Sequence, residues 1–148
     1  MTSLNELVAI EVMGWKVFAT HGEAWEHTYK TDEPGLSYDK WTKSLFNADD
    51  SSYFCPVLSI SDAYRVVSKM REIGWWLRVK DGISEDGTGK EITEYSFAGP
   101  SMSSITFVHS ETAEYGNDAR SICIAALRAV GVSEELISNA LEQEKGRK

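Results

Sequence analysis

The chain has 148 residues, 42% of them hydrophobic and 26% charged, with a formal net charge of −8. That length is one domain's worth and that apolar content builds one core, which excludes a disordered chain. The acidic balance supplies no basic stripe to neutralise duplex nucleic acid, and no apolar run reaches membrane-spanning length.

In chain order, the first expected element is a helix over residues 3–13. Ser3 caps it, Glu6 completes a capping box, and Leu4, Leu7, Val8, Val12 and Trp15 recur at helical spacing, so one face is expected to be buried. Gly14 is its natural stop. Val17 to Ala19 reads as a short strand. The rest of 16–58 lacks a period and scatters Trp25, Tyr29, Tyr38, Trp41, Phe46, Tyr53 and Phe54 among turn residues. It is expected to be a long irregular segment, of the kind that carries function or is fastened to the core by its aromatics.

A second helix is expected over 60–73, with Ser59 as cap, Asp62 in its first turn and a stripe of Ala63, Val66, Val67, Met70 and Ile73. Three strands follow, over 75–80, 91–97 and 104–109, joined by turns at 81–90 and 99–101. Ile92 falls out of phase with Tyr95 and Phe97, so a bulge is expected there. Two more helices are expected, over 118–130 with Ala119, Ile122, Cys123, Ala126 and Val130 inward, and over 134–144 behind the cap Ser133. The expected fold is α+β: one domain spanning 1–148, a layered sandwich of about four helices on an antiparallel sheet of at least three strands.

Three segments in order carry a family resemblance: Val12-Met13-Gly14-Trp15, the capped helix from Ser59 to Met70, and Ala119 to Leu127. Together they resemble the phage ABA sandwich domain, a group of small proteins of tailed bacteriophages. The resemblance covers most of the chain outside 16–55. It implies an α-β-α layered fold and a place in the host cell cytoplasm during infection, but no established activity and no catalytic residues to carry over.

Motif chemistry points away from catalysis. Gly87-Thr88-Gly89-Lys90 lacks the first glycine and the final Ser or Thr of a phosphate loop, and reads as a turn. Asp81, Glu85 and Asp86 do not have the spacing of a calcium loop. His21 and His27 lack zinc-protease spacing, and Cys55, His109 and Cys123 are scattered singles. No enzyme activity, cofactor or metal is therefore expected. The opening residues have no basic start or apolar stretch, so no secretion signal is expected, and Cys55 and Cys123 are expected to be unpaired thiols of a cytoplasmic protein.

The remaining signal is five tryptophans with a few arginines. Aromatic faces stack on nucleobases, and arginine pairs with phosphate. The ligand-binding candidates are Trp25, Tyr38, Trp41, Arg78 and Arg120, the last in the first turn of a helix where free amides favour an anion. The expected function is a non-catalytic phage accessory protein that sequesters a host immune signalling nucleotide, a cyclic nucleotide or cyclic ADP-ribose-type ligand. A homo-oligomer would enclose it at a subunit interface. The alternative is an inhibitor that docks its acidic face or aromatic segment on a host defence protein.

Overall fold

The computed structural model describes residues 3–39, 44–83, 87, 89, 91–99, 107–108, 112–113 and 118–145. Ser3 accepts the Glu6 N–H and starts α1 (Leu4–Leu7), which widens into a π-helical turn over Val8–Val12. Gly14, at φ +72°, and a bond from the Trp15 N–H to the Ala9 carbonyl close it. Then come β1 (Lys16–Phe18), α2 (His21–Thr31), β2 (Gly35–Asp39), β3 (Ser44–Asn47) and β4 (Ser52–Phe54). These form one sheet in the order β1-β2-β3-β4, parallel between β1 and β2 and antiparallel beyond.

The expectation of a long irregular segment over 16–58 is thus corrected. It is a strand–helix–strand unit followed by two hairpins. Its strands have three to five residues each, too short to show a period, and polar Ser37 and Asp39 are buried in β2. Pairing with neighbours, rather than local pattern, makes them strands. Successive side chains alternate between faces. Val17, Leu36, Leu45 and Phe54 point into the core against α1 and the π turn, while Phe18, Ser37, Phe46 and Tyr53 share the face that α2 covers.

α3 (Ile60–Glu72) matches its expectation closely. The Ser59 hydroxyl accepts the Asp62 N–H, and Ala63, Val66, Val67 and Met70 are buried. The connection from β4 is pinned: the Asn5 side-chain oxygen Oδ1 accepts the Val57 N–H at 3.2 Å, and the Asp62 carboxylate accepts the Cys55 N–H at 2.9 Å.

The second sheet is antiparallel. β5 (Trp76–Ile83) pairs with β6 (Glu91–Ala98), whose other edge holds β7 (Phe107–Val108) and β8 (Thr112–Ala113). The β5–β6 register runs one to one from Trp76↔Ala98 to Ile83↔Glu91, so the bulge expected at Ile92 is absent. Of the strand expected over 104–109, only β7 lies among the described residues. α4 (Asp118–Ala129) packs on β6, α3 and the π turn, and α5 (Glu134–Lys145) rests on α1 and α4. Tyr95 on β6 donates to Asp118 Oδ1 at 2.6 Å, fastening this sheet to the start of α4.

The fold is therefore mixed α+β and layered. It differs from the expected sandwich in having a second sheet and one parallel pair. No helix among the described residues is long and apolar enough to cross a membrane. Neither Cys55 nor Cys123 is in a disulfide.

Candidate functional site

A groove of about 370 Å³ opens between the end of the π turn and α3, lined by Met13, Trp15, Arg65, Ser68, Lys69 and Glu72. Its position follows from the sequence. Gly14 reverses the chain and delivers Met13 and Trp15 to the groove, while Arg65, Lys69 and Glu72 recur at helical spacing beside the buried stripe of α3. π-helical turns are rare and frequently accompany functional sites.

The Trp15 ring meets Phe54 edge to face, centroids 5.0 Å apart at 68°. The Arg65 guanidinium lies over both rings, 5.4 Å from the Trp15 centroid and 5.3 Å from that of Phe54. Asp62 stands 3.5 Å from Arg65, and Glu72 stands 3.5 Å from Lys69. The cations are thus held by long, partly exposed ion pairs, each worth about 0–1 kcal/mol. Such pairs exchange for a better acceptor at little cost.

A second surface lies on the far side of the first sheet. Phe46 stacks with His21 at 4.7 Å and 22°, and meets Trp25 at 5.9 Å and Tyr53 at 5.8 Å. Tyr53 donates to Asp39 Oδ2 at 3.1 Å. That hydrogen bond to a carboxylate pushes the Tyr53 phenol up from its ordinary pKa. Lys30 holds the Glu26 carboxyl below its usual range through a 2.6 Å contact.

The sequence candidates are distributed over both halves of the molecule. Trp25 is on α2, 46% exposed, in the aromatic surface. Tyr38 is half-buried on β2, on the opposite face of the sheet, across from Leu45. Trp41 lies outside the described residues. Arg78 is exposed on β5 opposite Ser96, and Arg120 is half-buried in the first turn of α4. The first sheet therefore carries Trp25 and Tyr38, and the second sheet with its helix carries Arg78 and Arg120. Sequence reasoning passed over Arg65 and Lys69. The available signal was their i, i+4 spacing along a well-capped helix, which also reads as an ordinary solvated face.

Among the described residues, no three His, Cys, Asp or Glu side chains gather in a way that could hold a metal ion. No family model, curated protein or solved structure matches the chain.

Proposed function

We propose that the protein is a non-catalytic binding protein that holds a nucleotide-class ligand in the Trp15–Arg65–Lys69 groove. One observation carries this reading: a guanidinium already seated over two aromatic rings, with a second cation one helical turn away. A base stacks on an aromatic or guanidinium plane for about 1–3 kcal/mol. A phosphate oxygen that replaces Asp62 or Glu72 gains a charge-assisted hydrogen bond of about 1.5–3 kcal/mol. Because Arg65 is pre-positioned by the rings, it loses little rotamer freedom on binding.

Two cations facing two carboxylates leave no net charge. The groove therefore suits a phosphodiester with one negative charge per phosphate better than a triphosphate. Its volume lies at the lower end of ligand pockets, and it is open on one side. A second copy of the chain closing over it would bury the ligand further, so the reading includes a homo-oligomer. The resemblance to phage ABA sandwich proteins carries no activity, but a phage protein of this kind works inside an infected cell, and the ligand we propose there is a host immune signalling nucleotide that the protein holds as a sponge.

Calorimetry with cyclic dinucleotides, cyclic ADP-ribose isomers and ATP tests this on the wild type and on Trp15→Ala and Arg65→Met. A cyclic ligand should bind, ATP should bind less, and each substitution should weaken binding about tenfold or more, with circular dichroism reporting the fold. No binding by any panel member would sink the reading. Binding that survives both substitutions would remove it from this groove, and turnover of a ligand would make the protein an enzyme.

A further inference from the structure

The surface beyond α2 has the opposite chemistry to the groove. His21, Trp25 and Tyr29 follow one another at i, i+4 and i+8 along α2, so they form one stripe. Phe46 and Tyr53 extend it onto the sheet. These rings are not core: Tyr29 is 89% exposed, and Trp25 and Tyr53 are each 46% exposed. A row of exposed rings on a single helix and its sheet is the kind of patch that marks an interaction surface.

Charge selects the occupant. Glu23 is exposed on α2, and Asp49 and Asp50 are exposed in the turn that joins Asn47 to Ser52, next to the Phe46↔Tyr53 pair. On the helix, Lys30 is engaged by Glu26 at 2.6 Å. Among the described residues the rim is acidic, so it repels phosphate and disfavours nucleic acid. It equally disfavours the same face of a second copy, which carries the same carboxylates. Guanidinium groups suit both parts of the surface, since they lie over aromatic faces and pair with carboxylates.

We infer that this face docks an arginine-bearing segment of a partner protein. The arginines lie over Trp25, Tyr29 and Tyr53, and the rim carboxylates steer and hold them. The inference does not rest on the groove or its ligand.

The test uses the full-length protein, isotopically labelled, and three synthetic peptides of equal length: arginine–serine repeats, lysine–serine repeats and glutamate–serine repeats. Amide shifts should move on α2 and in the Asp49–Asp50 turn with the arginine peptide, less with lysine, and not with glutamate. Tyr29→Ala keeps the fold because that ring is almost entirely in solvent, and it should weaken the arginine peptide about two- to fivefold without changing the net charge. Asp49→Asn with Asp50→Asn should weaken it further and flatten its salt dependence. Trp15→Ala and Arg65→Met should leave it unchanged, which separates this surface from the groove. Shifts spread over the acidic surface at large, or insensitivity to Tyr29→Ala, would overturn the inference. So would single-stranded oligonucleotide binding at α2, or a dimer in light scattering that Trp25→Ala dissolves.

Discussion

Two glycines of the α2 region should respond to the same substitution with opposite signs. Gly35 opens β2 where α2 passes closest to the sheet. A Cβ at this position would stand 2.5 Å from the Ala24 carbonyl oxygen and 3.0 Å from Thr28 Oγ1. The Ala24 oxygen is helix backbone and cannot rotate away, so α2 itself must lift. Two hydrogen bonds meet at the same point: Gly35 N–H donates to Thr28 Oγ1 at 3.0 Å, and that hydroxyl donates to the Ala24 carbonyl at 3.0 Å. Overpacking costs about 1–3 kcal/mol, and each weakened bond about 0.5–1.5 kcal/mol. The stiffer unfolded chain returns about 0.4–1 kcal/mol. Gly35→Ala should therefore lose about 2–4 kcal/mol. Gly22, in the first turn of α2, has only Thr20 Oγ1 nearby, at 3.9 Å. Gly22→Ala should be neutral or gain up to about 1 kcal/mol from helix propensity. Urea denaturation followed by circular dichroism measures both, with the slope checked for constancy. A Gly35→Ala protein within about 0.5 kcal/mol of wild type, on the scale of an ordinary surface substitution, would refute the close seating of α2 on β2.

Two further outcomes follow from the hydrogen bonds that fasten the layers. Tyr95→Phe keeps the ring but removes the donor to Asp118, and should cost about 1–2 kcal/mol at pH 7, less than a fully buried charged bond because Asp118 is only half-buried. Burial first, and then the bond to Asp118, push the Tyr95 phenol well above the ordinary tyrosine range. Its folded pKa thus exceeds its unfolded one, so the stability it contributes is present below pH 10 and drains as pH rises beyond it. The gap between wild type and Tyr95→Phe in urea midpoints should shrink between pH 7 and about pH 11, and a constant gap would contradict the linkage. Ser59→Ala removes the oxygen that accepts the Asp62 N–H and should lower stability by about 1 kcal/mol, or a few degrees in melting temperature, measured by calorimetry.

What the sequence made legible depended on whether an element announces itself alone. α3 does: a cap at Ser59, four buried apolar residues at helical spacing and a stop at Gly74. α2 does not, because it is built in reverse. Its only fully buried side chain is the smallest, Ala24, which lets the helix sit against Gly35, while its large rings face outward. The aromatic spacing of α2 therefore marks its solvent face and leaves its core face without a stripe. β2 hides for a related reason: its alternation spans only Leu36 to Asp39, and its polar members Ser37 and Asp39 are buried on the α2 side where alternation predicts an exposed face. The expected ligand residues were chosen for ring and charge without knowledge of the sheet. Tyr38 is a case in point: two residues from Leu36 in the strand, it shares the core-facing side of β2 rather than the aromatic surface.

The three-residue strand β4 shows why ring and charge divide as they do. Tyr53 and Phe54 are adjacent, so the pleat sends them to opposite sides of the sheet. Tyr53 joins Phe46 beside the acidic turn, and Phe54, fully buried, supports Trp15 beneath Arg65. One strand therefore backs the groove through Phe54, which packs behind Trp15, and contributes Tyr53 to the aromatic face. The two surfaces lie on opposite sides of that strand: on one, two cations paired with two carboxylates beside Trp15, and on the other, exposed rings beside exposed carboxylates. Because the residues of the two surfaces are separated by the strand, single substitutions on either side of β4 test the two proposals independently: Trp15 and Arg65 report on the groove, Trp25 and Tyr29 on the face.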